Sequence, residues 1–314
     1  MSLLGKNIPL YGGLLALALF AGLGLCACTA SGDAEEISPV APNSAAGGKG
    51  EKSSAAGKSS AKETPGSSSS SQGEMDAADS AITEIIFFKV VPMTIKKGTA
   101  SYTVSSFMVS VTEVTQGLYA KVMGDLPDQS NTGDDYPVEN VSWYQAALFC
   151  NEVSKRAGYD TAYIYTSVSE GGALKGLKID YSVPSMRLPT EMEWEIAAHG
   201  GTSTTYYWGT AEASDYAYYG QSKGPVEVGN FIPNAFNLYD MAGNVAEWVN
   251  DWFASLSTTS ATNPVGPETG KYRVVRGGGW SSVVKDIAPD ARDKKEPQYK
   301  SATIGFRIVY SEGF

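Results

Sequence analysis

In Asn234-Ala-Phe-Asn-Leu238-Tyr-Asp240-Met-Ala-Gly243-Asn-Val245-Ala-Glu247-Trp248, the pairs Tyr239-Asp240 and Gly243-Asn244 read as turns. Two carboxylates, Asp240 and Glu247, stand seven residues apart around the glycine, with backbone carbonyls between them. Hard oxygens from side chain and backbone in one irregular loop suit Ca²⁺. The same residues also read without an ion, as a turn closed by Asp240 and a following segment capped by Glu247. Either way Tyr239-Asp240 and Gly243-Asn244 are expected to be long turns. Trp208-Gly209 and Gly277-Gly278-Gly279 mark further long turns of the same kind.

Outward from this stretch, regular elements are few. Residues 85–91 and 103–111 are rich in β-branched and aromatic side chains and are expected to be strands. A short helix is expected from Thr115 to about Met123, stopped by Gly124. Ser142 with Gln145 forms a capping box for a helix over 143–157, in which Ala146, Phe149, Cys150, Val153 and Ala157 recur at the helical period before Gly158. Thr190 with Glu193 starts a third helix, through Trp194, Ala197 and Ala198 to Gly200-Gly201. Three helices among short strands and long turns describe a loop-rich α+β domain over 81–314, which holds all six Trp and 32 of the 34 aromatic residues. Cys150 falls on the core side of its helix, as a buried, inert thiol.

The first 80 residues are of another kind. Residues 1–27 combine Lys6, an apolar run and small residues in the manner of an export signal. Residues 28–80 read as a tether: over 29–80, 30 of 52 positions are Ser, Ala or Gly and none is aromatic, so too little apolar surface exists to offset chain entropy. The formal charge of −10 argues against a nucleic-acid partner. With His199 as the single histidine, a three-histidine iron or zinc site and a Ser-His or Cys-His relay are hard to build. His199 itself reads as a cation at a helix C-terminus or a plain surface residue.

Leu25-Cys26-Ala27-Cys28 resembles the bacterial lipoprotein signal, with Leu at −3 and a small residue at −1 before a lipidated Cys28. That resemblance implies a membrane partner through the lipid. Thr29 after the cysteine implies the outer membrane of a diderm cell envelope. The folded part carries a second resemblance. Glu113-Val-Thr-Gln116 with Tyr119, Pro137-Val-Glu-Asn-Val-Ser-Trp143, Arg187-Leu-Pro-Thr-Glu-Met-Glu-Trp194-Glu195, Tyr207-Trp208-Gly209, the opening stretch, Arg276-Gly-Gly-Gly-Trp280 and Gly305-Phe-Arg307 occur in this order. Together they resemble the formylglycine-generating enzyme, or sulfatase-modifying factor, domain. The resemblance implies an elaborated C-type-lectin-like α+β fold.

It also implies a chemistry for which this chain lacks residues. The family's oxidases hold copper on two cysteines that would fall near Ser282 and Ile287, and no cysteine follows Cys150. A soft thiolate pair is what copper(I) needs. The iron-dependent relatives need several histidines. No copper or iron is therefore expected, and no catalytic residue is assigned. A disulfide that some members form from the helix cysteine would here have to join Cys150 to Ile308. The calcium of the family is implied to lie on Asp240, on the carbonyls of Gly243 and Val245, and on Glu247. The former catalytic groove is expected around Trp280, Ser281, Ser282 and Arg292, open to an envelope protein, a peptide or a glycan. The expectation is a lipid-anchored, non-catalytic binding or assembly module. The alternative is an enzyme modifying exported proteins by unrecognised chemistry.

Overall fold

The computed structural model describes residues 82–314; the leader, Cys28 and the tether lie outside the described residues. Strands β1 (Phe87–Val90), β2 (Met93–Lys97), β3 (Ala100–Val104) and β4 (Phe107–Ser110) precede helices α1 (Gln116–Met123) and α2 (Trp143–Arg156). Two small ladders follow, from β5 (Tyr163–Ile164), β6 (Ser167–Val168), β7 (Leu174–Lys175) and β8 (Lys178–Ile179), with β6-β7 nested inside β5-β8. Next come β9 (Ser185–Arg187), α3 (Glu191–His199), β10 (Ala246–Trp252) and β11 (Ala261–Thr262). The chain ends with β12 (Arg273–Arg276), β13 (Asp293–Lys295), β14 (Ile304–Gly305) and β15 (Val309–Ser311).

Three larger sheets result, in the orders β1-β4-β15-β9, β13-β12-β10-β14 and β11-β3-β2. Pairing within the second is antiparallel except for β10 with β14, where Ala246 faces Ile304 and Glu247 faces Gly305 in parallel register. The architecture is the loop-rich α+β one expected. The long segment over 200–245 carries little beyond a short 3₁₀ turn at Ala213–Asp215.

Local chemistry explains the helices. Ser142 Oγ accepts from Gln145 N while Gln145 Oε1 accepts from Ser142 N, and Thr190 with Glu193 does the same. Two otherwise orphaned donors are satisfied at each start. Gly200 ends α3 in the left-handed conformation. Helix α2 turns Trp143, Phe149, Cys150 and Val153 inward, where Phe149 stacks on Tyr119 and meets Phe306 edge-on at 5.2 Å between ring centroids. Cys150 is fully buried, and burial raises its thiol pKa, as an inert core residue requires.

One strand differs from expectation. Residues 103–111 do not run as a single strand but break at Ser105-Ser106 into β3 and β4, which belong to different sheets. Ser105 N donates to Asn263 Oδ1 at 2.7 Å and Asn263 Nδ2 donates to Ser105 Oγ at 2.9 Å. A side-chain amide 158 residues away supplies the partner that a ladder would otherwise have given.

Candidate functional site

The Asp240–Glu247 turn is bent by three residues in the left-handed region, Asp240, Gly243 and Asn244, with φ of 57°, 86° and 53°. Asp240 Oδ2 accepts from Gly229 N at 2.7 Å. Glu247, the second residue of β10, accepts from Arg307 Nε on both oxygens, at 2.9 and 2.8 Å, and from Trp194 Nε1 at 2.7 Å. Arg307 extends the network by donating to Ser110 O and Tyr239 O, so one guanidinium ties β4, β10 and the turn together. The calcium set of the sequence therefore lies on one continuous turn, but its Glu247 end is also the partner of a buried arginine.

A third acid, Glu113, belongs to this site. Its Oε1 lies 3.4 Å from Val245 N, and its Oε2 is buried without a hydrogen bond. Burial and then the charge of Asp240 push the Glu113 carboxyl well above the usual range, and burial raises Asp240 to about 6. Three buried carboxyls thus face one guanidinium, an excess of acid that a divalent cation would balance. The donor set, the negative charge and the orphaned oxygen all fit Ca²⁺. In the sequence Glu113 stands in a family motif with no role attached; the available signal was an acid three residues beyond the apolar strand Phe107–Ser110.

Beside the turn runs a groove of about 430 Å³. Gly277, Gly278, Gly279, Ser282, Arg292, Lys295 and Tyr299 are among its lining residues. Its floor needs glycine: a Cβ on Gly279 would lie 2.8 Å from Thr303 O. Of the four groove residues expected, Ser282 and Arg292 line it, whereas Trp280 and Ser281 do not. Trp280 is turned away because its Nε1 donates to Ala302 O at 2.8 Å, and Ser281 points to solvent. The two positions that the resemblance assigns to thiols also separate. Ser282 lines the groove, while Ile287 is fully buried in an apolar cluster with Trp208, Ala217 and Ala242.

Two arginines that line the groove are held by ion pairs to helix α3. Arg276 donates to Glu191 at 3.0 Å and Glu195 at 2.7 Å, and Arg292 grips Glu191 with Nε and Nη2 at 2.5 and 2.7 Å. At the helix start, Asp251 Oδ2 accepts from Glu191 N at 2.8 Å. Burial, and next the charge of Glu191, raise Asp251 to about 8. The folded state thus holds a proton there that the unfolded chain releases near pH 4, so this group makes stability fall as pH rises from about 4 to about 8. Asp251→Asn should flatten that decline, read from urea midpoints at pH 5 and pH 8. An undiminished slope would show that Asp251 is ionised in the fold.

This fold and groove define a class. The family described as "Sulfatase-modifying factor enzyme 1-like domain" matches residues 53–312, and the chain belongs to it. Among relatives, the serine/threonine-protein kinase pkn1 of Chlamydia pneumoniae is 41% identical over 178 residues, covering 55% of this chain and 24% of that one. The chain thus spans about a quarter of that kinase's length. The chaperone protein LppX of Paenibacillus barcinonensis is 30% identical over 239 residues, covering 67% of this chain and 82% of the relative. The solved structure of Treponema denticola variable protein 1 superposes with a TM-score of 0.64 at 32% identity, covering 71% of this chain and 94% of that one.

Proposed function

We propose that this protein is a non-catalytic binding module of the sulfatase-modifying-factor family, tethered to the cell envelope through a lipid on Cys28. The observation that carries the reading is the groove itself. It presents Ser282 where the family's copper chemistry calls for a thiolate, and its companion position, Ile287, is sealed in the core. A serine hydroxyl and an isoleucine offer copper(I) no soft donor. The cationic side chains at the groove are tied up: Arg292 by Glu191, Lys295 by Asp293 at 2.8 Å. Exposed Val283 and Tyr299 beside the opening offer apolar contact to an extended polypeptide. The name of LppX, a chaperone protein, accords with binding rather than turnover.

The test offers the purified chain copper(I), oxygen and a peptide containing cysteine. No aldehyde should form above the copper-only background. Aldehyde that scales with protein and disappears in Ser282→Ala would overturn the reading.

The same reading gives the acidic turn Ca²⁺, held by Asp240, the Gly243 and Val245 carbonyls and Glu247, with Glu113 supplying further negative charge. The ion would neutralise buried acid and pin the turn against the groove. At about 100-fold excess over Kd, binding is worth roughly 2.7 kcal/mol, or about 5–10 °C in a domain of this size. Chelation should lower the wild-type melting temperature by that amount, and Asp240→Asn should shrink the difference. A wild type that ignores chelator refutes it.

A further inference from the structure

Away from the acidic turn, helix α3 and the loop that carries Asp290 bring together the chain's single histidine and two carboxylates. Glu195 and His199 are four apart on α3 and so share one face. Asp290 arrives from the loop after the 3₁₀ turn Val284–Ile287. One donor atom from each of the three lies within 4.8 Å of the others. His199 Nε2 is 3.1 Å from Asp290 Oδ1. A cation already sits among them, because Lys97 Nζ from β2 is 2.6 Å from the same Asp290 oxygen and in ion contact with Glu195 Oε1.

The surroundings are arranged for a ligand set rather than for a single salt bridge. Arg276 Nη2 holds Glu195 Oε2 at 2.7 Å, which leaves the buried Oε1 with no hydrogen bond beyond its ion contact with Lys97. His199 Nδ1 is buried and also has no hydrogen-bond partner. The Glu195 side chain is 1% exposed, His199 13%, Lys97 20% and Asp290 65%, so the group is closed at its base and open at Asp290. A cavity of about 400 Å³, lined by these four with Thr202 and Ser203, leads to it.

We propose that Glu195, His199 and Asp290 form a zinc-class transition-metal site with an open fourth position, closed by the Lys97 ammonium when no metal is bound. One imidazole nitrogen with two carboxylate oxygens is a donor set for Zn²⁺ and its neighbours, and the nitrogen disfavours Ca²⁺ and Mg²⁺. The ammonium occupies the place of positive charge, and its four-carbon stem lets it swing out toward solvent. Arg276 acts as the outer support that fixes the Glu195 carboxylate. Wild-type affinity is then set by competition with Lys97, and removing the lysine unmasks the site.

The experiment uses the full chain, chelator-treated and resupplied with Ca²⁺ to fill the acidic turn, and titrates Zn²⁺ alone. Because there is one imidazole, its ring ¹⁵N resonances report coordination at His199 without ambiguity. The expected result is a shift of those resonances at one equivalent. Affinity should rise about tenfold in Lys97→Met and fall about tenfold in Asp290→Asn, with the melting temperature of each variant without zinc read as the control for folding. Imidazole resonances that do not move up to about 1 mM zinc in either wild type or Lys97→Met overturn the proposal, as does Asp290→Asn binding as tightly as wild type.

Discussion

Arg307→Met should lower domain stability by about 3–5 kcal/mol, the usual cost of removing one partner from a buried ion pair. The guanidinium is fully buried and donates to four oxygens at once: both of Glu247, Ser110 O on β4 and Tyr239 O in the turn. Methionine fills much of the volume but returns none of these hydrogen bonds. The larger consequence is electrostatic. Glu113, Asp240 and Glu247 would remain buried with no countercharge, and a buried carboxylate without a partner either unfolds its surroundings or takes up a proton. The deficit should therefore be largest near pH 8 and narrow toward pH 5, where protonation removes the uncompensated charge. Urea midpoints at the two pH values measure it. A loss under about 1 kcal/mol, independent of pH, would show that Arg307 does not hold the acids.

Gly243→Ala should cost about 2–4 kcal/mol although it adds a single methyl group. At φ 86° an L-residue is strained by about 1–2 kcal/mol. The new Cβ would also stand 2.3 Å from Tyr218 O, a backbone atom that cannot rotate away. Opening that contact breaks the hydrogen bond from Asn244 N to Tyr218 O and disturbs the one from Gly243 N to Gly277 O, each worth about 1 kcal/mol net. Gly98→Ala is the control. Its φ is 59°, and nothing lies within 4 Å of the position a Cβ would take, so it bears the strain alone and should cost about 1–2 kcal/mol. Equal losses at the two positions, from denaturant midpoints, would refute the close approach. Because this glycine lies within the acidic turn and bonds to Gly277 of the groove floor, the same substitution should also abolish the response of the melting temperature to calcium.

The helices were readable because their causes are local. Ser142 with Gln145 and Thr190 with Glu193 carry their own start signals within four residues, and Gly200 its own stop. The break between β3 and β4 was not readable, since the group that causes it, Asn263, lies in a distant loop. The candidate sites divide along the same line. Asp240, Gly243, Val245 and Glu247 are close in sequence, and their grouping was visible there. Glu113 joins them across 132 residues to Val245, and Lys97 meets Asp290 across 193, so neither partnership had any trace in spacing. His199, which read as a helix-end cation or a surface residue, turned out to face Asp290 at 3.1 Å with little exposure.

Sequence alone determined the loop-rich α+β class, the family resemblance, and the lack of any cysteine after Cys150, because residue identity, cap signals and turn residues act over a few positions. Only the tertiary structure decided which buried acid meets which arginine, that Ser282 faces the groove while Ile287 is sealed in the core, and that the one histidine closes a ring with Glu195, Asp290 and Lys97. Those outcomes depend on burial and charge between segments far apart in the chain, and both are properties of packing.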